Sequence, residues 1–469
     1  MSVQALLTSW IQAQKLRAPQ MKNASIFERN LEEALDLRRA NHGLFAPNVI
    51  NSWKTGQGVD FCSNDILHLG VTGQIREEFE AELARHPGYN VHSGGARLLD
   101  GNYEYIQQIE QEIADFHGAE SALIVSTGYD ANGTIFGALP RPGDAIVYDE
   151  LIHASIFDGM VHSVAPCKQS FRHNDCDSFR EVLTSVIDSQ KMIRDGSRCV
   201  LVAVESVYSM DGDVCPLREL VDIGKELCPK GNIEFIIDEA HGTGVIGPKG
   251  AGLVNALGME KEIAVRLHTC GKGLASIGAA ILGSATVRSV LLNYARPVVF
   301  TTAPSFPLVA AMRAGYNLLR SGATEKAQAN IQHLVKRFIG RMRADETFQK
   351  ASEMGIVWIP LSEDMEERDF LVHVIPIRTR QRYSYWLTFH LQLAGYCIFP
   401  IDYPVVPKGK SRVRLIVHGS NTEAQIDGIA KAICDWSREM IEIETSVDSG
   451  SKMPKSAQQV YALMAEAST

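Results

Sequence analysis

One acidic residue at the end of an apolar run constrains this chain more than any other feature. Asp238 closes the run Ile-Glu-Phe-Ile-Ile-Asp, which predicts a buried strand with a carboxylate at its carboxyl edge. Lys272 follows between two glycines, in a run of mostly small and apolar residues. A lysine in such surroundings is a candidate for Schiff-base chemistry, and a buried carboxylate is what a pyridinium nitrogen requires. The pair therefore points to an enzyme that uses pyridoxal 5'-phosphate (PLP).

Composition narrows the class of protein. The chain has 469 residues, 45% of them hydrophobic and 22% charged, as in an ordinary globular protein. Its 46 basic and 55 acidic residues give a net charge of −9, which does not favour nucleic acid as a partner. Nine cysteines, none in a CxxC pair, indicate a reducing compartment and neither disulfides nor a structural metal site. No apolar run is long enough to span a membrane.

The first 24 residues are expected to form a poorly ordered lead. No Asp or Glu precedes Glu28, whereas Lys15, Arg17 and Lys22 do. Transit peptides are acid-poor in this way, but they are richer in arginine and serine. We therefore expect a cytoplasmic protein, with mitochondrial import as the less favoured alternative.

Helix and strand patterns alternate from about residue 100 to 290, which predicts an α/β domain with a mostly parallel central sheet. A helix is predicted at 103–117, and strands at 122–126, 145–149, 199–206, 233–238, 265–269 and 279–282. Ligands of such sheets bind beyond the carboxyl ends of the strands, where Ser126, Asp149 and Asp238 lie.

The pattern changes after residue 300 and predicts a smaller α+β domain. Its expected helices are 307–320, 325–344, 383–394 and 423–443, and its expected strands are 355–360, 371–377 and 411–418. We predict four regions: an N-terminal extension and helix (1–60), a large PLP-binding domain (61–300), a small C-terminal domain (301–444) and a loose tail (445–469). A capping-box pattern at Ser25 and Glu28 should start a helix that ends at Gly43.

A short segment after the first predicted strand of the large domain favours phosphate binding. Ser126, Gly128 and Tyr129 lie between that strand and a helix-like run. Free backbone N–H groups at a helix start bind phosphate, and Gly128 lets the backbone approach closely. Short motifs of this kind are also common in ordinary turns.

Five segments, in order along the chain, resemble the signatures of the α-oxoamine synthases, a family of fold-type-I PLP transferases. They are FCSNDIL (61–67), SVYSMDGD (206–213), DEAHGTG (238–244), TCGKG (269–273) and FTTAP (300–304). The resemblance covers roughly residues 28–440, and within the family it is closest to the 8-amino-7-oxononanoate synthases.

The resemblance implies a role for each residue around the cofactor. Lys272 would bond to PLP and later remove the substrate's α-proton. Asp238 would pair with the pyridine nitrogen, His241 would lie beside the ring's 3' oxygen, and His153 would stack on the ring face. Ser209 would contact the phenolic side of the ring.

It also implies contacts for the phosphate and the substrates. Thr269 and Thr302 would bind the phosphate, with Thr302 reaching in from a neighbouring subunit, so the protein would be a homodimer with shared active sites. Asn64 and Arg414 would contact the amino-acid substrate, and Arg414 would clamp its carboxylate. Arg412, two positions away on the same strand face, is the alternative.

The chain departs from the family pattern near the expected entry of the acyl donor. Ala96 stands where many members have serine or cysteine, and Ile66 and His68 replace the more usual tyrosine and glycine. The chemistry of the family is therefore expected to be intact, while these positions leave the identity of the acyl donor undetermined.

The predicted reaction is the condensation of an amino acid with an acyl thioester, on CoA or a carrier protein, with loss of CO2 and release of the thiol. L-Alanine and a pimeloyl-CoA-like donor, as in biotin biosynthesis, are favoured. The alternatives are a serine- or glycine-using relative that acts on a polyketide or fatty-acyl thioester in secondary or sphingoid metabolism, an aminotransferase, and a catalytically inactive scaffold subunit.

Overall fold

The computed structural model describes residues 10–40, 43–44, 58–360, 368–446 and 452–466. Its helices before residue 300 are Ile26–Arg39, Leu69–Thr72, Gln74–Arg85, Glu104–His117, Gly128–Ala138, Ala154–Val161, Cys176–Ser189, Lys191–Arg194, Leu217–Leu227, Leu253–Leu257, Ala285–Tyr294 and Arg296–Val299. Those after it are Phe306–Ser321, Glu325–Ala344, Glu346–Glu353, Tyr383–Leu393, Glu423–Thr445 and Lys455–Glu466. None of the helices in these ranges is long and apolar enough to cross a membrane.

A seven-stranded sheet forms the centre of the large domain and confirms the predicted α/β fold. The strand order is Ser121–Val125, Ala279–Gly283, Val265–Thr269, Ile233–Asp238, Val200–Glu205, Ala145–Asp149 and Cys167–Phe171. Six strands are parallel, and Ala279–Gly283 is antiparallel to both of its neighbours. The parallel carboxyl ends therefore meet at one edge of the sheet, as the apolar runs predicted.

The pattern analysis missed the edge strand Cys167–Phe171. Its three central residues are polar and exposed, and only its ends are buried. An edge strand needs no continuous apolar run, because one of its sides has no strand beside it. The hydrogen bonds to Ala145–Asp149 define it instead.

A four-stranded antiparallel sheet forms the small domain, in the order Phe399–Ile401, Arg412–Ile416, Val374–Thr379 and Val357–Trp358. The short strand Val59–Asp60 pairs in parallel with Tyr396–Cys397. The chain therefore contacts the small domain before it builds the large one. A single apolar cluster contains residues from both sides of the predicted boundary at 300, such as Ile124 and Leu415.

Both ends of the described chain differ from the prediction. Ser25 caps the first long helix by accepting a hydrogen bond from the Glu28 N–H at 3.1 Å, but that helix ends at Arg39, and residues 41–42 lie outside the described ones. The expected loose tail is wrong for Lys455–Glu466, which is helical; residues 447–451 and 467–469 are not described. Ala457 in this helix is fully buried, in one cluster with Ile11 and Phe389. Residues 10–13 of the expected poorly ordered lead thus take part in packing, while residues 1–9 are not described.

Glu110 connects the helix Glu104–His117 to the sheet. Its carboxylate accepts hydrogen bonds from Arg97 at 2.6 and 3.0 Å, from the Ile124 N–H at 2.9 Å and from Arg288 at 2.8 Å. Glu110 and Arg97 are both buried, with side-chain exposures of 4% and 3%. A buried charge that keeps its partners is tolerated, whereas a buried charge without them is costly.

We expect Glu110→Ala to destabilise the fold by about 3 kcal/mol, because it leaves the buried Arg97 guanidinium without its carboxylate. The midpoint of urea unfolding, followed by circular dichroism, measures this. Asp435→Ala is the matched control, since its ion pairs with Lys431 and Arg438 are exposed at the surface and their loss should cost less than about 1 kcal/mol. Equal shifts in the two variants would contradict the prediction.

Candidate active site

Asp238 lies where the strand Ile233–Asp238 ends, and only 7% of it is exposed. Its Oδ2 accepts a hydrogen bond from the Asn132 side chain at 2.8 Å, and its Oδ1 accepts one from the Ala240 N–H at 2.9 Å. Two donors thus hold the carboxylate at the carboxyl edge of the sheet. This is the place that the apolar run predicted.

Lys272 follows the neighbouring strand Val265–Thr269 and is partly buried. Desolvation lowers the pKa of its ammonium, and the positive charge of Arg414 acts in the same direction. The negative charges of Asp238 and Glu205 oppose this shift without cancelling it. The lysine therefore has a larger fraction of free amine near neutral pH than an exposed lysine does.

Glu205 is a site residue that the sequence analysis did not single out. It ends the strand Val200–Glu205, is in register with Asp238 on the adjacent parallel strand, and is 4% exposed. Burial, and then the negative charge of Asp238, raise its pKa well above the ordinary value for a glutamate. The signal that marked Asp238, an acid at the end of a buried strand, was present here too.

Two buried histidines are close enough to the lysine for its positive charge to act on both. His241 is 2% exposed, and its Nδ1 has no hydrogen-bond partner among the described residues. The ring of His373 stacks on it with the centroids 5.8 Å apart, and both nitrogens of His373 also have no partner there. Burial lowers the pKa of both groups, that of His373 to about 3, so both imidazoles are neutral. His373 follows no motif, and nothing in the sequence marked it.

His153 caps the short helix Ala154–Val161, and its Nδ1 lies 2.8 Å from the Ser155 hydroxyl. Desolvation lowers the pKa of the imidazole; the negative charge of Asp238 opposes this shift, and the positive charge of Lys272 adds to it. The ring of Tyr129 approaches edge-on, with the centroids 6.1 Å apart. Tyr129 in turn hydrogen-bonds Asp158 through its hydroxyl.

The predicted phosphate segment forms the start of the helix Gly128–Ala138. The Thr127 hydroxyl caps this helix by accepting from the Asp130 N–H at 3.0 Å. A Cβ on Gly128 would lie 3.3 Å from the Thr269 hydroxyl, so glycine lets these two segments approach closely. A cavity of about 120 Å³ is lined by Ser126 and by Thr302 of the same chain. The reach of Thr302 into a neighbouring subunit stays a prediction.

The two candidate arginines on the strand Arg412–Ile416 differ in their partners. Arg412 forms an ion pair with Asp211 and donates to the Lys410 carbonyl. Arg414 donates a hydrogen bond to the Ser209 carbonyl at 3.1 Å. Ser209 is the residue predicted to contact the phenolic side of the PLP ring. Arg412 thus already has a carboxylate partner, and the binding of the substrate carboxylate by Arg414 stays a prediction.

Asn64 is exposed in the turn after the strand Val59–Asp60. The same turn carries His68, which has a positive φ of 56°, a conformation that glycine adopts more easily. The His68 ring stacks on His418 at 4.2 Å, and its Nε2 lies 3.6 Å from Asp60. The unusual residue His68 thus joins the turn of Asn64 to the loop that follows the strand of Arg414.

His173 contacts the turn that contains Ser209 through Tyr208 and Asp213. Its Nδ1 lies 2.9 Å from Asp149, its Nε2 contacts Asp213, and the ring packs against Tyr208. Burial by itself would lower the pKa of His173, but the hydrogen bonds to the two carboxylates outweigh it and raise the pKa to about 10. The imidazolium therefore ties the end of one central strand to the turn.

We expect the stability that His173 contributes to depend on pH. Because its pKa is raised on folding, the contribution is complete below about pH 6.5 and is lost as the pH rises towards 10. The difference in unfolding midpoint between the wild-type protein and His173→Gln should therefore shrink over this range. A difference that is constant with pH would show that the ring only fills space.

The pattern of residues fits PLP at each of its groups. A helix N-terminus with Thr269 and Ser126 suits the phosphate, a lysine with a lowered pKa suits the aldehyde, and a held carboxylate suits the ring nitrogen. The unpartnered Nδ1 of the buried His241 suits the 3' oxygen. No residue of the described site conflicts with this assignment.

Comparison with known proteins agrees with the geometry. Residues 57–433 match the model of the family "Aminotransferase class I and II". The chain belongs to this family. It is a fold-type-I PLP protein of the α-oxoamine synthase group, and PLP is its cofactor.

Individual relatives within this family are similar to the chain over most of its length. The chain is 58% identical to an aminoacyl transferase, sphA, of Aspergillus fumigatus, over 98% of this chain and 97% of that one. It is 43% identical to the 8-amino-7-oxononanoate synthase of Emericella nidulans, over 81% of this chain and 90% of that one. A solved SPT structure with PLP has a TM-score of 0.68 at 23% identity, covering 81% and 88% of the two chains, and shows the same fold.

We expect Lys272→Ala to abolish the visible absorbance band that PLP gives when it is joined to a lysine amine. The absorbance spectrum of the purified protein with PLP measures this. Lys261→Ala removes an exposed lysine eleven positions earlier and serves as the control, with an unchanged spectrum. A visible band that persists in Lys272→Ala would assign the bond to another lysine.

Proposed function

We propose that this protein joins an amino acid to an acyl thioester and releases CO2 and the free thiol. The observation that carries the proposal is the position of Lys272, whose pKa is lowered, next to the held carboxylate of Asp238 and near Arg414. The relatives named as an aminoacyl transferase and as an 8-amino-7-oxononanoate synthase support the same class of reaction.

Four residues of the site have distinct roles in the proposed reaction. Arg414 binds the carboxylate of the amino acid through its planar guanidinium, and Asn64 contacts the same substrate. The free amine of Lys272 takes the α-proton. PLP, when bound, supplies the ring that accepts the electron pair left behind, and Asp238 faces its nitrogen.

The remaining bonds change on the substrates. The α-carbon attacks the thioester carbonyl, the C–S bond breaks, and the sulfur leaves as a thiolate. The carboxylate then departs as CO2, and the Lys272 ammonium returns a proton to the α-carbon. His153 and His241, both neutral, orient oxygen atoms of the reactants without adding charge.

Two acyl donors deserve separate tests. The 58% identity to the aminoacyl transferase exceeds the 43% identity to the synthase of Emericella nidulans, which favours a donor other than the pimeloyl thioester, and a fatty-acyl or polyketide thioester is the first candidate to test. A pimeloyl thioester with L-alanine, the first choice from the sequence motifs, is the second candidate. The departures at Ile66 and His68 are consistent with a changed donor.

A homodimer is part of the proposal. Val91, Leu99 and Phe300 are large apolar side chains with exposures of 70%, 77% and 73%. Their segments are joined by hydrogen bonds of 2.8 Å from the Ala303 N–H to the Gly95 carbonyl and from Ser93 to the Ala303 carbonyl. An exposed apolar surface of this kind is typical of a subunit contact. It lies beside Thr302, so a second copy bound there would reach the phosphate site.

Release of free thiol tests the reaction class. We expect it when L-alanine, L-serine or glycine is combined with palmitoyl-CoA or pimeloyl-CoA, and we expect CO2 in equal amount. A keto acid in place of the thioester should give no product. In the presence of an amino acid, thiol release from palmitoyl-CoA but not from pimeloyl-CoA would select the fatty-acyl candidate. Release from pimeloyl-CoA but not from palmitoyl-CoA would select the synthase-like candidate. Amino transfer to a keto acid, without thiol release, would replace the proposal by an aminotransferase.

A further inference from the structure

Asn132, which the scheme above does not use, connects Asp238 to a second loop. It lies on the helix Gly128–Ala138 and is 2% exposed. Its amide nitrogen donates to the Asp238 Oδ2 at 2.8 Å and to the Ser155 hydroxyl at 2.9 Å. A carboxylate accepts hydrogen bonds and has none to give, so the atom of Asn132 that faces Asp238 must be the nitrogen. Both amide hydrogens are then used outside the helix.

This orientation decides the direction of the next hydrogen bond. Because the Ser155 hydroxyl accepts from Asn132, its own hydrogen is free to point to the His153 Nδ1, 2.8 Å away. The Ser155 backbone N–H also points to the same Nδ1, at 3.3 Å. Two donors converge on this nitrogen, so it carries no hydrogen. The proton of a neutral imidazole must then be on Nε2.

We propose that Asn132 and Ser155 are positioning residues that fix His153 in its Nε2–H tautomer. The chain of contacts runs from Asp238 through Asn132 and Ser155 to His153, so the group that faces the cofactor nitrogen also sets the ring above the site. Its Nε2 is thereby a hydrogen-bond donor for an oxygen acceptor, such as the carboxylate of the amino acid or the carbonyl of the thioester. The role of that donor in turnover rests on the proposed function; the tautomer itself does not.

The opposite tautomer would not serve the same task. With the hydrogen on Nδ1, the Nδ1–H and the Ser155 backbone N–H would be two donors that face each other. Nε2 would then present a lone pair to the substrate oxygen. Such a contact is repulsive instead of attractive. The buried positions of Ser155, with no exposed surface, and of Asn132 keep water from replacing either hydrogen bond.

Nitrogen-15 NMR of histidine-labelled protein tests the proposal, in both the PLP-free and the PLP-loaded protein. His153→Gln removes one pair of ring signals and so assigns them among the 14 histidines. We expect the shift of an unprotonated nitrogen for Nδ1 and that of a protonated nitrogen for Nε2. The tautomer is read from the wild-type spectrum once His153→Gln has assigned the signals, so it does not depend on whether variants of Ser155 or Asn132 fold. A protonated Nδ1 would overturn the proposal.

The variants test the positioning. Ser155→Ala and Asn132→Leu should each mix the two tautomers in the NMR spectrum. Ser155→Ala should lower kcat by roughly tenfold, and Asn132→Leu by at least as much, because it removes the hydrogen bonds to both Ser155 and Asp238. Ser437→Ala is the matched control: this serine is equally buried but donates to the Ile433 carbonyl within a distant helix. Its His153 signals and kcat should not change. Unchanged tautomers in both site variants would contradict the positioning role, whereas absent turnover with an intact Nε2–H tautomer would count against the proposed reaction only.

Discussion

The site depends on the carboxylate of Asp238 being held away from water at the end of a central strand. Burial of an unpaired charge is costly, so the surrounding structure must provide donors and a counter-charge. The Asn132 amide and the Ala240 N–H are the donors, and Lys272 is the nearby cation whose pKa responds to the carboxylate. The pyridinium of PLP would complete this set. The helices that cover the sheet thus determine where the cofactor can bind.

The same burial sets the protonation of the other groups. It raises the pKa of Glu205 well above its ordinary value, and it keeps His241 and His373 as neutral imidazoles. The cations Lys272 and Arg414 reinforce the neutral state of His241. A site with one carboxylate, one guanidinium and several neutral donors can bind an anionic amino acid and still leave the lysine free to accept a proton. Acid and base functions are therefore separated by their surroundings.

Much of the cofactor site could be predicted from the sequence, because the pattern of a buried strand followed by a polar residue recurs along the chain. The strands 145–149, 233–238 and 265–269 were predicted with the bounds that the structure has, and the first two are mostly apolar runs that end at an aspartate. Asp238 and Lys272 follow from those strand ends. Asn132 and Ser155 act through contacts with partners up to 106 residues away, so no local pattern marks them. The helix Lys455–Glu466 was missed for a similar reason, because its apolar side packs on the distant residues Ile11 and Phe389.

The two halves of the site differ in how far sequence patterns describe them. The cofactor half lies on loops that directly follow strands of one sheet, where motif and position coincide. The substrate half is assembled from the turn at 60–68 and the strand end at 412–420, more than 300 residues apart in the chain. His68 departs from the family pattern, and its stacking partner His418 lies on the other segment. Changing either ring would move Asn64 relative to Arg414, the two residues proposed to contact the amino acid, without touching the residues proposed to hold PLP.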